Sequence, residues 1–268
     1  MVFVNSMSDL FHEDVPDAFI DQVFAVMALA PQHTFQVLTK RAERMQEYLS
    51  IGRRQVEVMN AVISLYRAGA ERVDTWPLPL KNVWLGVSVE NQHFADDRIP
   101  LLLQTPAAIR FVSYEPALGP LFGLDQWLSG GLDNREYWTH SCPVNANGYA
   151  QIPGLDWIIV GGESGSGARL FNLAWARAVI EQCRVAGVPV FVKQLGARPT
   201  EVFNGVEQHD VLLRDRKGGT MDEWPPDLRV RSSVSLRSKR RQGCQRRVHS
   251  CHYPAQALRA HGCRLSRL

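Results

Sequence analysis

The chain has 268 residues, 45% of them hydrophobic, and a formal net charge of +3 at pH 7. That length and apolar content suit one large α/β domain or two small ones. No run of about 18 apolar residues exists to cross a membrane, and no charged segment with an apolar core opens the chain as a secretion signal would. The five cysteines (142, 183, 244, 251 and 263) are irregularly spaced and do not read as a disulfide framework. The expectation is a cytoplasmic protein with no membrane contact.

The net charge conceals an asymmetry. After Asp227 there is no acidic residue, while eleven arginines and lysines run from Arg229 to Arg267. The part before Arg229 is therefore net acidic, and it gives no electrostatic reason to bind nucleic acid.

In chain order, MVFVNSMSDLFHED begins with a short apolar strand whose end carries Asn5, Ser6, Ser8 and Asp9. Residues 16–31 read as an amphipathic helix with Pro16 in its first turn, Phe19, Ile20, Val23, Phe24 and Met27 on one face, and Pro31 as its stop. Phe35 to Leu38 is a second strand, ending in Thr39, Lys40 and Arg41. A long helical stretch follows from about Ala42 to Arg67, which Gly52 can divide. Val83 to Val89 is a third strand and delivers Ser88, Glu90 and Asn91 at its end. Asp96 to Gln104 reads as a short helix, because Pro100 is tolerated only near a helix start.

Ile109 to Tyr114 is a fourth strand, with Ser113, Glu115 and Pro116 at its tip. Residues 119–154, rich in Gly and Asn, read as an insertion or lid, since ordinary βα connections are much shorter. Then comes LDWIIVGGESGSG, residues 155–167: an apolar run that opens onto Gly161, Gly162 and Glu163, the grammar of a buried parallel strand with a permissive loop. Asn172 is the expected N-cap of the next helix and Gly187 its end. Val188 to Val192 is a sixth strand, followed by Lys193 and Gln194.

Strands that alternate with helices predict a parallel sheet, either doubly wound or barrel-like. Polar residues at nearly every strand end favour a barrel with its site at one face, and six units are too few for a complete one. The expected fold class is a partial TIM-type (β/α) barrel of about six βα units over residues 1–231, followed by a basic tail at 232–268. That tail reads either as an arginine-rich nucleic-acid arm or as a disordered, out-of-frame end.

Several chemistries compete for the strand ends. GGESGSG can cradle a phosphate at a helix N-terminus, though its spacing is neither a P-loop nor a dinucleotide fingerprint. Glu115 and Glu163 can act as an acid–base pair in a cluster-free barrel hydrolase. Lys40 and Lys193 can neutralise an anion or form a Schiff base. No histidine or cysteine stands at a metal-ligand spacing.

The ordered set FVNSMSDLFHEDVPDAFIDQVFAVMALAPQHTFQVLTKR, VWLGVSVENQ, DRIPLL, IRFVSYEPALGP, LDWIIVGGESGSGAR and VPVFVKQLG resembles the phage and prophage "gene product 37/68" family, whose fold is similar to that of radical-SAM enzymes. The resemblance covers roughly residues 2–231, apart from much of the insertion. It implies a partial barrel holding a 4Fe-4S cluster and S-adenosylmethionine, with Asn5, Ser6, Asp9, Ser88, Glu90, Ser113, Glu115, Gly161, Gly162 and Glu163 around the cofactor. Within that set, Asp9 or Ser6 is the expected partner of the cofactor's ammonium.

In that family a cysteine triplet precedes the VNSMSD strand. This chain begins at that strand, and no close triplet occurs in it. Three thiolates hold such a cluster. The expectation is a truncated radical-SAM-like protein of unknown substrate that has no cluster and lacks cluster-dependent catalysis. The alternatives are a phage-related binding module, which contacts nucleic acid or protein through the basic tail, and the cluster-free hydrolase.

Overall fold

A computed structural model describes residues 1–5, 7–50, 54–66, 78–133, 150–203 and 207–234. Six parallel strands form one sheet in the order β1 (Val2–Val4), β2 (Phe35–Thr39), β3 (Val83–Ser88), β4 (Ile109–Tyr114), β7 (Trp157–Gly161) and β9 (Val190–Gln194). Each strand of this sheet lies beside the previous one, without the reversal that a doubly wound sheet shows at its switch point. The sheet curls into a half-barrel. The expected partial barrel is thus present as an α/β half-barrel of six parallel strands.

Helices α1 (Asp17–Leu29), α2 (Ala42–Ser50), α3 (Arg54–Tyr66), α4 (Gln92–Gln104), the short α5 (Asp125–Leu128) and α6 (Leu173–Ala186) connect the strands. The strand residues on the helix side, among them Val83, Leu85 and Val87 of β3 with Val112, Ile158 and Val160, join the main core with Ile20, Phe24, Ile99, Leu102 and Val179.

The other face of the sheet has its own apolar layer. Trp84, Ile109, Phe111, Trp157 and Ile159 form a separate buried cluster, with Leu38, Phe191 and Val234 packed against it. Trp157 meets Trp84 edge-on at 6.0 Å between ring centroids, and it contacts Phe191 at 6.1 Å. These are the separations at which aromatic pairs attract beyond simple burial. The segment after Leu228 covers this layer. Val192 N donates to Val230 O, Ser232 N to Val190 O, and the Trp157 indole to Ser232 O at 2.9 Å. Residues 232–234, expected to begin the tail, therefore pack on the body, and one compact unit spans Met1–Val234. Residues 235–268 lie outside the described residues, as do the readings attached to them.

Local signals account for most boundaries. The Asn172 side chain accepts from Ala174 N at 2.9 Å, and Gly187 closes α6 in the left-handed region at φ 70°. Two helices differ from expectation. In α1, Ile20, Phe24, Met27 and Ala28 form the buried face, whereas Phe19 is exposed. Helix α4 begins at Gln92, so Pro100 sits in its interior. A mid-helix proline costs about 3 kcal/mol. Against it stand four buried side chains, Ala95, Ile99, Leu102 and Leu103, each of the larger ones contributing about 1.5–3 kcal/mol.

Within the expected insertion, α5 precedes a hairpin of β5 (Gly131–Asp133) and β6 (Ala150–Ile152). Residues 134–149 are outside the described residues. Strands β8 (Phe171–Asn172), β10 (Pro199–Phe203) and β11 (Glu207–Asp210) form a small second sheet, which the apolar pattern did not announce. Among the described residues no helix is long and apolar enough to cross a membrane.

The Phe111 ring fills the space above Gly86, where an added Cβ would lie 2.5 Å from ring carbons. Gly86→Ala is therefore expected to lower unfolding stability by about 1–3 kcal/mol through overpacking. Urea denaturation measures it; an unchanged midpoint would contradict the packing described.

Candidate functional site

The strand ends differ from the aromatic layer in one respect: they carry charge. On β3 and β4 the serines Ser88 and Ser113 are register partners and both are buried. Two residues beyond them, Glu90 and Glu115 leave adjacent strands. Backbone bonds fix these ends, from Val89 N to Ser113 O, Leu118 N to Glu90 O, and Ala117 N to Gly161 O.

Glu90 is only 5% exposed. Arg98 of α4 donates to Glu90 Oε2 at 3.0 Å and to the Ser88 carbonyl at 2.8 Å. Lys40, at the end of β2, places Nζ 2.7 Å from Glu90 Oε1, an ion contact outside hydrogen-bond alignment. A buried carboxylate needs such partners, because desolvating an uncompensated charge costs several kcal/mol. Glu115 repeats the arrangement. Lys193 Nζ of β9 lies 3.0 Å from its carboxylate, and Gln194 Nε2 reaches Oε1 at 3.3 Å and the Gly162 carbonyl at 3.0 Å. In both pairs the lysine side chain is more than half exposed and the carboxylate is not.

Asp9 has a different part. Its Oδ1 accepts from Phe11 N at 3.0 Å and Thr39 Oγ1 at 2.7 Å, and its Oδ2 from Lys40 N at 3.0 Å and Arg41 Nη1 at 3.1 Å. A carboxylate has about four lone-pair sites, so these donors fill it. Asp9 joins the loop after β1 to the end of β2 and thereby sets where Lys40 starts. The preceding Asn5 holds a left-handed backbone, φ 56°, which asparagine tolerates better than most residues. Asn5, Asp9, Thr39, Lys40 and Ser88 line one cavity of about 520 Å³, within the range of small-molecule pockets.

The two glycines of the LDWIIVGGESGSG segment divide their work. A Cβ on Gly161 would lie 3.1 Å from Glu115 Cδ, so this glycine makes room for the carboxylate. A Cβ on Gly162 would lie 2.3 Å from Leu195 O, so that glycine serves backbone packing and does not face the cavity group. Glu163 is bound by its own loop: Arg169 Nε donates to Oε2 at 2.9 Å, Nη2 to Oε1 at 3.0 Å, and Arg169 N to Oε2 at 2.9 Å. These bonds, chiefly from the Arg169 side chain, hold the Glu163 carboxyl down at about 2. A group ionised to that pH holds no proton for a leaving group, so in a pair of Glu115 with Glu163 the acid would have to be Glu115.

Of the residues the sequence singled out, Asn5, Asp9 and Ser88 share a cavity; Glu90 adjoins it through Lys40; Ser113, Glu115 and Gly161 continue along β4 and β7. Ser6 lies outside the described residues. Sequence reasoning placed Thr39 at a strand end without giving it a role, and it missed Arg98 and Arg169. Arg98 had a readable signal, since a helix side chain points back toward its N-terminus and this one lies two turns past the Asn91 cap. Arg169 sits in a loop with no periodicity to expose it.

Cys183 is the cysteine among the described residues. It is fully buried on α6, and burial pushes its thiol up to about 12. No group of three or more potential metal-ligating side chains occurs among the described residues.

Over residues 1–249 the chain matches the family described as "Protein of unknown function (DUF5131)". It belongs to that family. No curated protein and no solved structure matches it. The DUF5131 match takes in the whole half-barrel with its charged strand ends, and it attaches no reaction to them.

Two measurements check this site. Asp9→Ala strands four donors and is expected to cost about 1–3 kcal/mol in urea denaturation, with an undiminished midpoint as the contrary result. The pairing of Glu163 stabilises the fold above its ordinary value near 4.5, and that contribution fades as pH falls toward about 2. Arg169→Gln should therefore differ from wild type in stability above pH 4.5, with the gap closing during acid titration; a constant gap would contradict the pairing.

Proposed function

We propose that the chain is a radical-SAM-like half-barrel whose charged mouth binds S-adenosylmethionine, or a small zwitterion of its class, without cluster-dependent chemistry. The observation that carries this is the repeated arrangement of a shielded carboxylate with an exposed lysine, Glu90–Lys40 at the ends of β3 and β2 and Glu115–Lys193 at the ends of β4 and β9, which flank β7.

Each pair presents a fixed anion and a movable cation. Arg98 keeps Glu90 in place when Lys40 swings away, and Gln194 does the same for Glu115 when Lys193 moves. Both lysines are more than half exposed, so a ligand's ammonium can take their place beside carboxylates that Arg98 and Gln194 continue to hold. An aminoacyl group then finds carboxylates for its ammonium and lysines for its carboxylate. Ser88, Ser113 and Asn5 are further hydrogen-bonding groups beside it. When bound, the cofactor's sulfonium supplies an activated carbon–sulfur bond. The described residues include one cysteine, Cys183, and do not supply the three thiolates of the cluster that the radical-SAM resemblance implies, so no step is derived through it.

Calorimetric titration of the chain with S-adenosylmethionine tests the reading. Binding is expected, weakened at least ~10-fold by Lys40→Ala and by Glu115→Gln. Both substitutions remove a partly exposed partner and leave the Glu90–Arg98 pair intact, so thermal unfolding should change little. Absence of binding, or affinity indifferent to both substitutions, would overturn the proposal.

A further inference from the structure

Beyond the paired carboxylates, a second cavity of about 530 Å³ lies where three loops converge: the glycine-rich loop after β7, the loop after β9, and the turn that follows β11. Its cations are Arg198, Arg216 and Lys217, and none forms an ion pair with a carboxylate of the described residues. Two carboxylates also line it. Asp215 has its acceptor sites occupied by neutral donors: Oδ1 accepts from Lys217 N at 2.9 Å, and Oδ2 from Gly219 N at 2.7 Å, Thr220 N at 2.9 Å and Thr220 Oγ1. Those bonds hold its carboxyl below the usual range. Asp215 therefore stays ionised but has its lone pairs occupied, so that Asp210 and Asp215 are two counter-charges against three cations, and the cavity keeps a net positive charge.

The wall of the cavity suits the same ligand chemistry. Gly165 has φ 130° and nothing within 4 Å of the place a Cβ would take, so its backbone is open to an approaching group. Ser166 beside it is exposed and offers a hydroxyl. Opposite, Leu212 is 94% exposed, an apolar surface without a partner at the cavity edge. Guanidinium groups recognise phosphate in particular, through charge-assisted and often paired hydrogen bonds.

We propose that this cavity binds the phosphate of a small phosphorylated ligand of nucleotide size, with Arg198, Arg216 and Lys217 on the phosphate and Leu212 against its less polar part. The volume fits one such molecule, and the net acidic body opposes a long polyanion, which selects a small ligand over a nucleic-acid strand.

The test titrates the full chain with uridine monophosphate, uridine and a single-stranded oligonucleotide. Uridine lacks the phosphate and none of the three contains adenine, if the oligonucleotide is an all-uridine strand. The monophosphate is expected to bind and uridine to give no heat; inorganic phosphate should compete. The double variant Arg198→Gln/Arg216→Gln should weaken the monophosphate at least ~10-fold. Both arginines are exposed, so the melting temperature should hold. Lys40→Ala should leave this binding unchanged, which separates the result from that at the strand-end carboxylates. No binding of the monophosphate, equal binding of uridine, tighter binding of the oligonucleotide, or a double variant that binds like wild type would each overturn the proposal.

Discussion

A parallel sheet needs both faces covered, because its central strands are apolar on both sides. Here the helices cover one face only, and the curl of the sheet gathers the other into an aromatic layer of its own. Trp84, Phe111 and Trp157 fill that layer, and the segment through Val234 lies over it. With the apolar groups packed at this level, the positions nearer the strand ends can hold charge. The separation of a dry layer from a charged rim is what gives the fold a place for chemistry.

The rim is organised by asymmetry within each ion pair. Glu90 and Glu115 are held by a second donor, while their lysines are free to reorient. Asp9 works one step further back, fixing the backbone from which Lys40 extends. Glu163 is fixed on its own loop by Arg169, and the Arg169 guanidinium also feels the charge of Glu90. These groups form a field of alternating sign, in which fixed negative charges are more buried than the positive ones.

The strands were readable because β3, β4 and β7 are short apolar runs that end in polar residues, the pattern of buried parallel strands. Asn172 and Gly187 marked a helix at both ends through backbone geometry that few other residues satisfy as well. Pro100 misled, since a local penalty was outweighed by burial that only the folded sheet provides. The small sheet of β8, β10 and β11 escaped notice because strands of two to five residues carry too little periodicity. The carboxylates of the site were legible as strand-end residues. Lys193 stood out as a strand-end cation, but its pairing with Glu115 was not legible, because the sheet brings these two ends together from distant parts of the chain.

The loops at the β7 and β9 ends cross at three glycines. A Cβ on Gly162 would meet Leu195 O at 2.3 Å, one on Gly196 would meet Glu163 O at 2.6 Å, and one on Gly218 would meet Gly196 O at 2.4 Å. Each backbone occupies the space that a side chain on its neighbour would need. Gly196 and Gly218 also have positive φ, at 76° and 62°. Sequence change along this part of the rim is therefore tied in threes. New ligand preferences are easier to acquire at the tips, from Ser164 to Ser166 and at Arg216, than at the crossing, where altering one loop means rebuilding the other two.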